Sequence, residues 1–229
     1  MFYLLGTLRD DPRLFVLLVL AIAISLLLGL SFHEFSHALV GDLLGDRTPR
    51  RQGRLSLDPR VHLDPLGALM LVLAGFGWAK PVRISPLNLR LGPQLGMAVV
   101  GLAGPLANFL LAGVLAAPLK AGVVRYASPR FLDAWSFENY LAFLLLYIVI
   151  INVTLGVFNL LPIPPMDGSR LMQLIPGEVG EFFRRMEPFG FGILFLLLFL
   201  PTLTGGQVDI IGAVVSPIRN RILEWFLTG

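Results

Sequence analysis

The sequence predicts an all-α polytopic integral membrane protein, and composition and hydropathy carry that prediction. Of the 229 residues, 55% are hydrophobic and only 14% are charged, whereas a soluble domain carries about 25% charged residues. The mean hydropathy is +0.77, and the apolar residues fall into long runs. Helices are expected because backbone polar groups in a bilayer must be satisfied within the chain. We expect four to six transmembrane helices.

Composition also limits the chemistry available to the chain. There is no cysteine, which excludes disulfides and thiolate metal ligands. The net charge of +3 is explained by arginine in loops that flank the membrane, so the expected partner is the lipid bilayer and not nucleic acid. One domain is the default at this length. We expect a single transmembrane domain over residues 1–229, with a core over 14–170 and C-terminal membrane segments over 189–229.

Leu14–Leu44 is the first predicted span. At 1.5 Å per residue it is longer than the roughly 30 Å hydrocarbon core requires, so its last turns should emerge near one membrane surface. The following loop, Asp46–Pro65, is rich in arginine, and short loops of this kind stay in the cytoplasm. Leu66–Ala79 is apolar but too short to span comfortably, which favours a re-entrant or interfacial segment. Lys80–Ile84 reads as an extended edge strand bounded by proline.

The second half of the chain supplies the remaining spans. Gln94–Leu119 is the second span, and Tyr140–Leu161 is the third, which returns to the cytoplasmic side and ends where prolines break the helix. Phe189–Leu203 is a fourth, short span or half-span. Gly205–Gly229 is ambiguous, because an apolar stretch there precedes an amphipathic one.

The first span contains the sequence His33-Glu34-Phe35-Ser36-His37. Helix positions four apart share a face, with side-chain roots about 5–6 Å apart, so His33 and His37 can bind one metal ion together. The pattern H-E-x-x-H is typical of zinc hydrolases, in which the carboxylate takes a proton from the attacking water. An ionisable residue within a bilayer costs roughly 2.5–3.5 kcal/mol, which favours a functional role over packing.

A catalytic zinc requires a third protein ligand and an open position. Because His62 is the one other histidine, the third ligand must be an aspartate, a glutamate or His62. Asp167 is the best candidate, since it follows the third span on the same side as the histidines. The prolines before it let its carboxylate turn back into the bundle, and Gly168 permits a tight turn. The alternative is an ordinary Asp-Gly turn in a solvated loop.

These motifs resemble those of the site-2 protease family of intramembrane zinc metalloproteases (peptidase family M50), in its short bacterial and archaeal form. The resemblance rests on H-E-x-x-H and on the downstream sequence Asn159-Leu160-Leu161-Pro162-x-Pro164-x-x-Asp167-Gly168. Three further stretches are similar: His62-x-Asp64-Pro65-x-Gly67, Gly77-Trp78-Ala79-Lys80-Pro81-Val82, and Gly104-Pro105-x-Ala107-Asn108. The similarity extends over most of the chain, from residue 14 to residue 170.

The resemblance implies one Zn²⁺ per chain, with Glu34 as the catalytic general base. The implied metal ligands are His33, His37 and Asp167. It also implies that Asn159 and the loop with Pro162 and Pro164 contact the substrate near the metal. His62 is either an oxyanion donor or an interfacial loop histidine. Asn108 is either a contact in the site or an interhelical hydrogen-bonding residue.

The implied function is hydrolysis of a peptide bond in or near a transmembrane segment of a substrate protein, as in regulated intramembrane proteolysis. The partners are then transmembrane proteins, and the active site lies near the cytoplasmic side of the cell (inner or plasma) membrane. An unwound substrate could add to Lys80–Ile84 as an extra strand. The alternatives are a metal-dependent transporter or proton relay that uses the same cluster, and a non-catalytic binding protein. The intact Glu34 argues against the last.

Overall fold

The computed structural model describes residues 7–8, 10–74, 77–125 and 136–228. Within these residues the regular secondary structure is helical, and the extended segments pair only through an isolated antiparallel bridge between Leu63 and Ala79. We number ten α-helices in this part of the chain. They are α1 (Pro12–Leu43), α2 (Thr48–Arg51), α3 (Pro59–His62), α4 (Pro65–Ala74), α5 (Pro93–Lys120), α6 (Phe137–Asn159), α7 (Asp167–Met172), α8 (Glu178–Met186), α9 (Gly190–Leu203) and α10 (Ile210–Leu227).

Four helical segments among the described residues are long and apolar enough to cross a membrane: α1, α5, α6 and Glu178–Leu203, which joins α8 to α9 through a short 3₁₀ turn. The prediction of an all-α polytopic membrane protein is therefore confirmed. The fourth segment is longer than the expected half-span, because the amphipathic α8 continues into α9. The ambiguous C-terminal region forms α10, which packs on α5 and α6.

Helix α1 begins at an N-cap. Asp11 Oδ1 accepts hydrogen bonds from the backbone N–H groups of Arg13 and Leu14, each at 3.0 Å, and Pro12 supplies a preset φ at the first helical position. Polar side chains within the helix are satisfied locally: the Ser25 and Ser31 hydroxyls donate to the carbonyls four residues earlier. These local bonds let a long apolar helix carry serine without an unpaired donor.

The membrane bundle is built on α1, α5 and α6, which pack against one another. Its larger core cluster consists of buried residues from α5, α6, the turn after α6, and α10: Ala112, Ala116, Val149, Val153, Val157, Leu161 and Val215. A smaller cluster joins α1 to α6: Leu18, Ala21 and Phe143. Alanine at the α5 positions allows close approach of the backbones, which is how helices associate in lipid, where packing replaces the hydrophobic effect.

Between α1 and α5 the chain forms the loop region that covers the end of α1. Helix α4 has 10 residues and is about 15 Å long, half of the roughly 30 Å hydrocarbon core. Its length agrees with the expected non-crossing segment. Lys80–Ile84 is extended, as predicted, but the structure corrects the edge-strand assignment. Among the described residues its strand-like pairing is limited to the hydrogen bond from the Lys80 N–H to the His62 carbonyl at 2.7 Å, beside the isolated Leu63–Ala79 bridge. Its backbone instead bonds to side chains and loops, as described below.

Candidate metal centre

The two histidines of the H-E-x-x-H sequence lie on the last turns of α1, on the face directed into the bundle. Both are buried. The Nε2 atoms of His33 and His37 are 3.0 Å apart, and the ring centroids are separated by 4.6 Å with the planes nearly perpendicular. The helix spacing therefore brings one nitrogen of each ring to a common point.

Asp167 brings a carboxylate to the same point from α7. Its Oδ2 lies 3.2 Å from Nε2 of His33 and 3.2 Å from Nε2 of His37. The chain reaches this position by folding back after α6, and a Cβ at Gly168 would overlap the carbonyl oxygens of Leu160 and Leu161. Glycine is required at residue 168 for this close approach of two backbone segments.

The other nitrogen of each imidazole has a fixed partner. His33 Nδ1–H donates to Asn108 Oδ1 at 2.7 Å, and His37 Nδ1–H donates to the Val100 carbonyl at 2.7 Å. With Nδ1 protonated in the neutral ring, each Nε2 carries a lone pair directed at the other. This is the arrangement found in metal-binding histidines, whose second nitrogen donates to a fixed acceptor.

These donors fit a zinc ion. Zn–N and Zn–O bonds of about 2.0–2.1 Å in a tetrahedral site place neighbouring ligand atoms about 3.3 Å apart, close to the 3.0 and 3.2 Å separations here. Two lone pairs and a carboxylate converging on one point repel each other, and a cation relieves that repulsion.

Gly104 of α5 lies directly against the two imidazoles. A Cβ at residue 104 would stand 2.5 Å from His37 Nε2 and 2.6 Å from His33 Nε2. One turn earlier, a Cβ at Gly101 would come within 3.3 Å of the Asp167 carbonyl oxygen. The two glycines, three residues apart, allow α5 to lie flat against the metal centre where larger residues would not fit.

Glu34 is buried beside the histidines, and its Oε2 accepts a hydrogen bond from the backbone N–H of Val82 at 3.1 Å. Val82 belongs to the extended segment Lys80–Ile84. The sequence predicts that an unwound substrate could pair with this segment's backbone, but one of the segment's donors is directed inward to Glu34. The bond fixes one oxygen of the Glu34 carboxylate next to the potential metal ligands.

The remaining candidate residues make contacts outside the cluster of potential metal ligands. His62 Nε2–H donates to the Ser56 carbonyl at 2.7 Å, and its buried Nδ1 meets no hydrogen-bond partner among the described residues. Asn159 Nδ2 donates to the Leu155 carbonyl of its own helix at 2.9 Å.

The two prolines of the predicted substrate loop differ in exposure. Pro162 is exposed, and Pro164 is buried, where a Cβ on Gly190 of α9 would collide with it. The substrate contacts expected of Asn159, Pro162, Pro164 and His62 stay predictions. Asn108, in contrast, forms the interhelical bond that was one of its two expected roles.

A bundle of membrane-spanning helices that converges two histidines and an aspartate on one point, with a glutamate beside them, defines a membrane-embedded metallohydrolase centre. The comparisons agree with this class. The family model described as Peptidase family M50 matches residues 116–201. A Bacillus subtilis protein named as a zinc metalloprotease, YwhC, is 38% identical over 217 residues, which cover 90% of each chain.

Mycobacterial relatives match over a smaller share of their length. Rip2 of Mycobacterium tuberculosis, also named as a zinc metalloprotease, is 35% identical over 185 residues, which are 78% of this chain and 66% of Rip2. The zinc metalloprotease MJ0392 of Methanocaldococcus jannaschii is 34% identical over 84 residues, 36% of this chain and 21% of that protein. No solved structure matches.

The chain belongs to peptidase family M50 and is a multi-pass membrane zinc metalloprotease.

Proposed function

We propose that this metalloprotease hydrolyses a peptide bond in or near a transmembrane segment of a substrate protein. One observation carries the proposal: the three potential ligand atoms, all within 4.8 Å of one another, are supplied by the membrane-spanning helix α1 and by α7, the short helix that follows the turn after the membrane-spanning helix α6. A protease centre built into the spans is accessible to a substrate that is itself in the bilayer. The proposed partners are therefore transmembrane proteins, as in regulated intramembrane proteolysis.

In this proposal His33, His37 and Asp167 hold the zinc. Zinc held by these residues would supply Lewis acidity that polarises the scissile carbonyl and lowers the pKa of water toward about 7. Asn108 and the Val100 carbonyl keep the imidazoles oriented through their Nδ1–H groups. The ring orientation is thus set before substrate binds, which limits reorganisation during the reaction.

Glu34 acts as general base and then as general acid. It accepts the proton of the attacking water and delivers it to the leaving amine. The Val82 N–H bond to Oε2 holds the carboxylate plane in position, and Oε1 takes the proton. Asn159, Pro162, Pro164 and His62 complete the proposed substrate and oxyanion contacts.

The proposed location is the cell (inner or plasma) membrane, with the active site near the cytoplasmic side. Support comes from the arginine-rich loop after α1: Arg47, Arg50, Arg51, Arg54 and Arg60 follow within 17 residues of the helix end at Leu43. Loops of this kind remain cytoplasmic. We further propose that residues 1–229 act as one transmembrane domain.

The test uses purified protein in liposomes with a model substrate whose single transmembrane segment carries a label at each end. Wild type should contain about one zinc per chain and release fragments, as a site with three protein ligands and one open position predicts. Glu34→Gln should retain zinc and lose cleavage by at least about 10²-fold, because general-base catalysis contributes roughly 10²–10⁴-fold.

Ser36→Ala is the matched control, since Ser36 lies on the same turn and its hydroxyl donates to the Phe32 carbonyl, away from the metal cluster. It should cleave like wild type. Zinc-loaded wild type that cuts a soluble form of the segment and leaves the membrane-inserted form intact would contradict the proposed substrate class. Cleavage by Glu34→Gln at the wild-type rate would show that Glu34 is not the general base.

A further inference from the structure

Asn152 is a fully buried amide in the middle of α6, and no part of the proposed mechanism uses it. A polar side chain at the centre of a span is costly unless it is fully bonded. Its Nδ2 donates to the Ile148 carbonyl at 2.9 Å, and its Oδ1 accepts from Asn108 Nδ2 at 2.9 Å. Asn152 therefore contacts a residue that itself holds His33.

The Ile148 carbonyl sets the donor and acceptor roles in the series of hydrogen bonds that runs from Asn152 through Asn108 to His33. The Ile148 carbonyl can only accept, so the atom of Asn152 that faces it must be the NH₂ group. Asn152 then presents its oxygen to Asn108, and Asn108 must answer with its own NH₂. The Asn108 oxygen is left facing His33, where it accepts from Nδ1–H.

The outcome at His33 is a single tautomer. With the proton held on Nδ1, the Nε2 lone pair points to the position shared with His37 and Asp167. An Asn108 amide turned by 180° would place its NH₂ against Nδ1 and move the imidazole proton to Nε2, where it would block a metal ion. The Gly29 carbonyl, which also accepts from Asn108 Nδ2 at 3.0 Å, opposes the same rotation.

The backbone is shaped to admit this amide pair. A Cβ at Gly29 of α1 would stand 2.7 Å from Asn152 Oδ1, so α1 can approach α6 at this level only where residue 29 has no side chain. The network thus joins the three helices of the bundle, α1, α5 and α6, around two asparagines that are both fully buried.

We propose that Asn152 is a positioning residue for the metal centre: through Asn108 it selects the His33 tautomer that binds zinc. The inference rests on the proposed assignment of His33 as a zinc ligand. It predicts that Asn152 influences zinc affinity although it has no contact with the zinc ligands, and that this influence passes through Asn108.

The test measures the zinc dissociation constant of purified protein by competition with a chromophoric chelator. Asn152→Leu, which keeps the branched shape and removes both hydrogen bonds, should weaken zinc binding about tenfold, at the lower end of the 10–100-fold effect of groups that orient a ligand. Asn152→Asp is expected to be the neutral acid in this apolar span, so it can donate to the Ile148 carbonyl while it retains an acceptor oxygen toward Asn108. It should bind zinc within about threefold of wild type.

Coupling separates a positioning role from a general structural one. In an Asn108→Leu background, where zinc binding is already weakened, adding Asn152→Leu should produce less than a twofold further loss, because the connection to His33 is already broken. Thr154→Val is the matched control: it removes a hydroxyl that donates to the Ile150 carbonyl on the same helix and should leave zinc affinity unchanged. Thermal unfolding of the zinc-free proteins establishes that each variant is folded, and Asn152→Ala replaces the leucine variant if that one is not.

The result that overturns the inference is zinc binding by the folded Asn152→Leu or Asn152→Ala variant within twofold of wild type. A loss of zinc affinity in Asn152→Asp equal to that in Asn152→Leu would also overturn it. So would additive losses of zinc affinity in the Asn108→Leu, Asn152→Leu double variant. Failure of the site assignment itself looks different, because zinc would then be retained in His37→Ala. A wild type that loses zinc in His37→Ala and keeps it in Asn152→Leu refutes the positioning role alone.

Discussion

At Gly104, a single hydrogen in place of a side chain determines whether α5 can lie against the imidazoles. Gly104→Ala would put a methyl group 2.5–2.6 Å from the Nε2 atoms of His37 and His33, closer than carbon and nitrogen can approach. We expect the variant to fold with a cost of about 1–3 kcal/mol for overpacking and to bind zinc about 10–100-fold more weakly. That range is the effect of disturbing groups that orient ligands.

Gly113→Ala on the same helix is the control for this substitution. A Cβ at residue 113 would meet Phe226 at 3.4 Å, an ordinary contact, so zinc affinity should not change. Alanine in a helix interior is favoured over glycine by roughly 0.5–1 kcal/mol, and this variant should therefore unfold at the same temperature or slightly higher. Undiminished zinc affinity in Gly104→Ala would mean that α5 does not constrain the imidazoles.

The identity of the third ligand is a second prediction at the level of single residues. Asp167→Asn keeps the size of the side chain but removes the charge and one strong acceptor, so zinc content after dialysis should fall well below one per chain. His62→Gln should retain zinc, because the His62 Nε2–H is directed to the Ser56 carbonyl. If Asp167→Asn retained zinc and His62→Gln lost it, His62 would be the third ligand and Asp167 would not.

Among the elements, the loop region between α1 and α5 contains a buried carboxylate with several hydrogen bonds. Asp46 is fully buried and accepts from Thr48 N–H and Oγ1–H, from Ser85 N–H and from Asn88 Nδ2. Burial alone would raise the pKa of Asp46, but the hydrogen bonds, the largest from Asn88, bring that pKa below its ordinary value. The extended segment that contacts Glu34 begins in this same loop region.

The lowered pKa of Asp46 has a definite consequence for stability. A group whose pKa is lower in the folded than in the unfolded state adds stability above the unfolded value, about 3.9 for aspartate, and loses it as pH falls through the folded value. We expect unfolding temperature to decline below about pH 4, with a smaller decline in Asp46→Asn. Asp46→Ala, which leaves buried donors unpaired, should cost about 2–4 kcal/mol.

The measurement is thermal unfolding in detergent between pH 3 and pH 7. Asp58→Asn is the comparison, because Asp58 is exposed and caps a four-residue helix through one bond to Arg60 N–H. An acid profile in Asp46→Asn that matches wild type would show that other carboxylates carry the acid sensitivity of the fold.

What could be predicted from sequence depends on how local the determining interaction is. The His33–His37 pair follows from helix spacing alone, and the return of Asp167 follows from the proline break after α6. Asn152, Val82 and Gly104 were not identified as parts of the site, because their roles depend on how three helices are rotated and on which residue of an extended loop reaches Glu34. A signal for Asn152 existed: it is an amide in the middle of an apolar span.

At the level of the whole molecule, the side of the membrane on which the site lies is the proposal that most affects substrate access. The proposed orientation puts the arginine-rich loop after α1 in the cytoplasm and the turn after α5 outside. The sequence contains no cysteine, so single cysteines can be introduced without background labelling. Val123→Cys and Arg51→Cys are suitable probes, because both residues are exposed and lie in the two opposing connections.

With a membrane-impermeant maleimide, Val123→Cys should react in intact cells, and Arg51→Cys should react only after the membrane is permeabilised. Leu87→Cys, at an 85% exposed position in the loop region before α5, is a second probe that should behave like Arg51→Cys. The reason is that both probes lie in the arginine-rich region between α1 and α5, which is expected to be retained on the cytoplasmic side. Labelling of Arg51→Cys and Leu87→Cys in intact cells would reverse the orientation. The metal centre would then open to the outside, and its substrates would be cut near the opposite end of their transmembrane segments.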